Sequence, residues 1–229
     1  MRAVVPNVLT AARIPLGAAA ILATADGHIV RAATLITIGA VTDGIDGWAA
    51  RRLGGTTSFG ALFDYFCDYI CFIVAPWMLT RALVAHDPSA VREVLLILPL
   101  LTGAIRYTRN GLTVGADPEH VPPLPGLGTV FYAFLSVTAV FLDAPRLIDA
   151  RLFAWTMTTV VVLFSLLMVS PIRYPKLVAF RGASPLVIFL LACLPFLGTR
   201  WLAASMLVAG LLYAIVAPFL VARPGSRDE

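Results

Sequence analysis

Eight stretches of the chain, 8–24, 30–48, 59–83, 90–107, 127–142, 152–169, 183–197 and 201–222, are apolar and long, and short polar connectors separate most of them. A helix needs about 20 mostly apolar residues to cross the ~30 Å hydrocarbon core of a bilayer. In that medium the backbone must satisfy its own hydrogen bonds, which a helix does within one segment. The fold class that follows is all-α, a polytopic membrane helix bundle of about eight transmembrane helices forming a single domain over residues 1–229. Composition agrees: 59% of residues are hydrophobic and 13% charged, with a mean hydropathy of +0.89. A soluble domain would be left with far too much apolar surface, and no nucleic-acid partner is expected.

The first window has the outline of a secretory signal, since Arg2 precedes it and "LATADG" ends it. Arg13 and Pro15 interrupt that outline, however, and seven further spans follow. With the amino terminus in the cytoplasm, eleven of the 17 Lys and Arg residues fall in inside segments and six outside, in keeping with positive-inside bias. The expected location is the cell (inner) membrane, multi-pass, with membrane lipids as surroundings. The net charge of +4 either suits anionic headgroups or only reflects that bias. Cys67, Cys71 and Cys193 fall within apolar windows without metal-ligand spacing and read as small apolar residues. His28, His86 and His120 read as solvated connector residues, and Trp77, Trp155 and Trp201 as interfacial anchors.

The long connector, 108–128, contains the run "PPLPGLG", and its Pro and Gly content predicts no regular helix. Together with 170–182 it falls on the expected cytoplasmic side.

Against this apolar background four aspartates interrupt two neighbouring windows: Asp43, Asp46, Asp64 and Asp68. A carboxylate at the bilayer centre costs about 2.5–3.5 kcal/mol on insertion scales, so four of them require compensation. Asp43 and Asp46 are three apart and Asp64 and Asp68 four apart, which puts each pair on one helix face. Two facing acidic stripes repel unless protonated or bound to cations, and Mg²⁺ or Mn²⁺ is the natural counter-charge for hard oxygen donors.

Gly47 and Ala50 extend the first stripe and Gly60 precedes the second, leaving bare strips that a ligand can approach or another helix can pack against. Arg51, one turn beyond Asp46, is placed either to hold a phosphate or to reach the membrane interface. Metals and an arginine in a cavity open to lipid point to phosphoryl chemistry on a lipid pyrophosphate, with two ions bridging phosphates and stabilising the leaving group.

The series Asp43-x2-Asp46-Gly47-x2-Ala50-Arg51-x8-Gly60-x3-Asp64-x3-Asp68 resembles, at all eight specified positions, the signature of the CDP-alcohol phosphotransferases. That resemblance implies a six-helix family core plus two helices, two divalent cations held by the four aspartates, and a CDP moiety held by Gly47, Ala50, Arg51 and Gly60. Asp68 is the implied general base as well as a ligand, in a site facing the cytoplasm. The leading "PNVLTAARI" is similar to the family's entry helix and adds Asn7, Thr10 and Arg13 to the nucleotide candidates. A homodimer is the family expectation.

The acceptor is addressed by other stretches. "YICFIVAPW", carrying Phe72, Ala75 and Pro76, and "LMVSPIRYPKL" are similar to segments of the bacterial phosphatidylserine synthase branch. This resemblance implies CDP-diacylglycerol as donor and a small polar alcohol, L-serine, as acceptor. Arg173, Tyr174 and Lys176 offer charge for a carboxylate, as do Arg106 and Arg109, which alternatively contact phospholipid or water. Trp48, Ile73 and "PPLPGLG" depart from that branch, leaving glycerol 3-phosphate, inositol phosphate and choline open as acceptors.

Two other classes fit part of the pattern. An intramembrane prenyltransferase also uses facing aspartates, but its motifs lack the intervening G-x2-A-R-x8-G. An ion transporter also buries acids, but these gather towards one membrane face and no second acidic pair occurs in the later spans.

Overall fold

The computed structural model describes residues 10–53, 58–116, 125–172, 174 and 215, with side chains on the second helix as far as residue 44 and on the fifth as far as residue 112. Among the described residues all regular structure is helical. In chain order the helices are α1 (Arg13–Ala25), α2 (Ile29–Leu53), α3 (Ser58–Leu83), α4 (Ala90–Leu96), α5 (Leu98–Ala116), α6 (Val130–Phe141), α7 (Ala144–Leu147) and α8 (Ala150–Val169). By length and composition α3 and α8 can each cross a membrane, and α1 and α6 are shorter apolar helices. The windows 183–197 and 201–222 lie outside the described residues except for Ile215.

Helix α3 is not uniform. Ile70–Val74 forms a π-helical turn within it, just before Pro76, which has no N–H to offer the carbonyl four residues earlier. The window 90–107 is two helices rather than one. They part at Ile97, two residues before Pro99, for the same missing donor.

One expectation is overturned. Residues 108–116 continue α5 as regular helix, although the whole connector 108–128 was expected to exclude one. Its prolines begin only at Pro118, and Gly111 is a packing position: a Cβ there would stand 3.0 Å from Leu62 Cδ2 on α3. Gly103, two turns earlier, faces Ile73 in the same way, its Cβ 2.9 Å from Cγ1. The two glycines fix α5 against α3 in antiparallel register, with the Tyr107 ring between them, 5.6 Å from the Tyr65 ring and 6.2 Å from the Tyr69 ring.

The helices converge on Cys71. A Cβ on Gly17 of α1 would lie 3.2 Å from Cys71 Cα, and a Cβ on Gly39 of α2 would overlap Cys71 Sγ. Two side-chain-free positions thus let α1 and α2 close onto the π turn of α3, as small residues do between membrane helices. Around this crossing lies a core containing Ala20, Ala33, Ile36, Phe72, Leu79, Tyr132 and Val161. Many large apolar side chains point outward instead, among them Leu62, Phe66, Leu163 and Leu166.

At the opposite end from the aspartates, Arg92 on α4 is buried and donates to the Asp87 carboxylate at 2.5 Å and to the Asp87 carbonyl. Its guanidinium lies 5.1 Å from the Trp155 ring centroid, so that Trp155, expected from the sequence to be an interfacial anchor, stacks on a cation.

Candidate active site

The three-helix crossing at Cys71 brings the acids together. Arg13 lies one turn before Gly17 on α1, Asp43 one turn after Gly39 on α2, and Asp68 three residues before Cys71 on α3. Close packing at the glycines therefore places these three side chains at one level. Asp64, a further turn along α3, completes the group. One oxygen from each of Asp43, Asp64 and Asp68 lies within 4.8 Å of the others.

Among them sits the guanidinium of Arg13, whose side chain is 0% exposed. Its Nη1 donates to Asp43 Oδ1 at 2.6 Å and to Asp68 Oδ1, and its Nη2 donates to Asp64 Oδ1. Sequence reasoning placed Arg13 among the nucleotide candidates, yet here a forked cation bridges carboxylates from two helices. The sequence signal for this was faint: an arginine at a helical start, with nothing to say which neighbours it meets.

Three carboxylates within bonding distance of one centre are hard oxygen donors, and the structure holds them around positive charge. The donor set thus fits the divalent cations expected from the sequence. Asp46, Gly47, Ala50 and Arg51 ride on the continuation of α2 past Asp43, but their side chains lie outside the described residues. Gly60 is half-buried on α3, one turn before Asp64, and Thr10 is buried and helical, three residues before α1. Asn7, Arg173 and Lys176 lie outside the described residues.

Beside Asp64 and Asp68, a cavity of about 330 Å³ opens between α3 and α5 and is lined by Leu62, Tyr65, Phe66, Tyr69, Ala104, Tyr107 and Thr108. The hydroxyl of Tyr107 is 2.6 Å from Thr129 Oγ1, and that of Tyr69 donates to the Leu100 carbonyl at 3.0 Å. Arg106 Nη1 donates to the carbonyls of Pro125, at 3.0 Å, and Met168, at 3.2 Å. Arg109 Nη2 donates to the same Pro125 carbonyl at 2.5 Å. Tyr174 is buried against Leu127 and Phe164, and burial raises its phenol above the ordinary value, so it stays a neutral O–H at neutral pH.

The sequence profile of the family described as CDP-alcohol phosphatidyltransferase matches residues 3–170. The chain belongs to that family. As a CDP-alcohol phosphatidyltransferase it is a transferase, and its acidic cluster falls within the matched region. Similar relatives include the CDP-diacylglycerol–serine O-phosphatidyltransferase of Helicobacter pylori, 30% identical over 92% of this chain and 89% of that protein. The enzyme of the same name from Methanocaldococcus jannaschii is 29% identical over 80% of this chain and 82% of its own. The archaetidylserine synthase of Methanothermobacter thermautotrophicus is 29% identical over 75% and 69%.

Proposed function

We propose that this CDP-alcohol phosphatidyltransferase transfers the phosphatidyl group of CDP-diacylglycerol to the hydroxyl of L-serine and releases CMP. The observation that carries the reaction class is the convergence of Asp43, Asp64 and Asp68 from two helices onto one centre. The serine-accepting relatives, similar along most of the chain, support the choice of acceptor.

In this reading the four aspartates Asp43, Asp46, Asp64 and Asp68 hold Mg²⁺ or Mn²⁺, two ions when fully loaded, which supply charge stabilisation at the pyrophosphate. Gly47, Ala50, Arg51 and Gly60, with Asn7 and Thr10, border the nucleotide. The serine oxygen attacks the lipid-bearing phosphorus, the bond from that phosphorus to the bridging oxygen breaks, and CMP departs with the electron pair. The hydroxyl proton passes to a carboxylate oxygen of Asp68. An aspartate of ordinary pKa near 3.9 is a weak base for this step, so the surrounding charges must lower the barrier to hydroxyl ionisation.

Arg109, Arg173 and Lys176 offer positive charge for the serine carboxylate, with Tyr174 as a neutral donor nearby in sequence. The remaining proposals concern setting: eight spans in the cell (inner) membrane, the site facing the cytoplasm, and a homodimer. The outward-facing apolar side chains of α3 and α8 support a hydrocarbon surrounding.

The test supplies purified protein in lipid with CDP-diacylglycerol and Mn²⁺ or Mg²⁺, and measures acceptor-dependent CMP with serine, glycerol 3-phosphate, inositol phosphate and choline. Serine alone should drive turnover. CMP release driven by another of these alcohols and not by serine overturns the acceptor while retaining the reaction class.

A further inference from the structure

We infer that Arg106 is a positioning residue for the acceptor side of the site, latching the segment 125–128 onto the carboxyl end of α8. This deepens the reading above and rests on it for the identity of the acceptor.

The last carbonyls of a helix lack intrahelical donors. At the end of α8 two of the late carbonyls and one just beyond are met by groups from elsewhere in the chain. Arg106 Nη1 donates to Met168 O and also to Pro125 O. Gly126 N donates to Ile172 O at 2.7 Å, and Leu127 N to Leu167 O at 2.9 Å. One guanidinium and two backbone amides thereby join the connector entering α6 to the connector leaving α8.

Gly126 is required at this joint for two independent reasons. Its φ of 95° lies in the left-handed region. A Cβ there would also overlap Met168 O and stand 2.7 Å from Arg106 Nη1. Beneath the joint, Leu127, Phe164 and Tyr174 pack together.

The joint is in turn tied to the aspartate helix. Tyr107, next to Arg106, bonds Thr129 through its hydroxyl and rests its ring against Tyr65 and Tyr69, the immediate neighbours of Asp64 and Asp68. An unbroken run of contacts leads from the acids through Tyr107 to the latch. Arg173 directly follows Ile172, whose carbonyl is part of the latch, and Arg109 shares the Pro125 carbonyl with Arg106. The latch thus holds Pro125 and Ile172, the residue before Arg173, at a set distance from the acids. Arg106 itself is directed to backbone carbonyls.

Because the latch acts on acceptor placement, its loss should raise the acceptor KM and spare the donor. Arg106→Gln should raise the KM for serine about tenfold or more, the scale of one weakened charge-assisted hydrogen bond to its carboxylate. The kcat at saturating serine and the KM for CDP-diacylglycerol should stay within about threefold. Arg106→Lys, which can still reach a carbonyl, should recover most of that loss, and Gly126→Ala, which alters no functional group, should reproduce it.

An unchanged serine KM in Arg106→Gln, or a loss confined to kcat or to the donor KM, overturns the inference. So does an Arg106→Lys variant no better than Arg106→Gln. If the wild-type protein turns over a different alcohol, the serine reading fails on its own, and the same KM comparison on that alcohol still decides the role of Arg106.

Discussion

Arg13 Nη1 lies 2.6 Å from Asp43 Oδ1, joining α1 to α2 at the level where α3 presents Asp68. A fully buried cation thus occupies the centre of an acidic group that the sequence alone assigns to metal ions. The two assignments are compatible if the guanidinium neutralises the carboxylates without divalent ions and yields to them when they bind.

Replacement of Arg13 by Gln is therefore expected to destabilise the protein most strongly under chelation. Breaking a buried pair costs about 3–5 kcal/mol, and the lower end applies here because Asp43 and Asp64 side chains are 38% and 36% exposed. The thermal midpoint in EDTA should fall by several degrees, and Mn²⁺ should restore more of it in the variant than in the wild type. Equal midpoints for the two proteins in EDTA would remove the counter-charge role.

Asp68→Asn should lower kcat by about 10²–10⁴-fold, the range for loss of a general base. Asp68 is also a metal ligand in this reading, so the variant is assayed at saturating Mn²⁺, where the KM for CDP-diacylglycerol should move much less than kcat. Retention of near-normal CMP release with metal bound would transfer the base role to another group.

The Gly39 contact makes a paired-mutation test possible. Gly39→Ala pushes a methyl group into Cys71 Sγ and should cost about 1–3 kcal/mol through overpacking. Cys71→Ala removes that sulfur, so the double variant should recover both stability and turnover relative to Gly39→Ala alone. Additive losses in the double-mutant cycle would show that the three helices do not close at this point.

Remote from the acids, Thr80 Oγ1 and Ser136 Oγ lie 2.8 Å apart between α3 and α6, and Tyr132 OH reaches Thr80 Oγ1 at 3.4 Å. Thr80→Val should reduce stability by about 0.6–1.7 kcal/mol, the range for interhelical hydrogen bonds in membranes. Serine and CDP-diacylglycerol kinetics should be unaltered. A selective loss of activity at full stability would require a functional coupling absent from the packing.

Removal of divalent ions is the broadest check. Full chelation should abolish CMP release, and re-addition of Mg²⁺ or Mn²⁺ should restore it, because the single charge of Arg13 leaves Asp43, Asp64 and Asp68 net negative towards a pyrophosphate. Equal cleavage before and after chelation would sink the assignment of the aspartates.

Much of this was readable before any coordinates. Apolar length foretold helices, and the spacing of Asp64 and Asp68 placed both on one face, because periodicity is a local property of the chain. The eight-position series placed the chain in its family. Less legible were the break at Ile97, the π turn at Ile70–Val74 and the helical course of 108–116. There the effect of a single proline, or its absence, outweighed a composition averaged over many residues.

The residues alone determined that the chain is helical and apolar and that it carries an acidic set able to hold hard cations, and their resemblance to the family signature implied phosphatidyl transfer. Which groups meet was decided only in three dimensions. Arg13 reaches acids 30, 51 and 55 positions away, and Arg106 reaches a carbonyl 62 positions away. Such pairings depend on where Gly17 and Gly39 let two helices close upon Cys71, and on where Gly126 lets the chain turn. They are matters of shape between distant segments, to which local periodicity is blind.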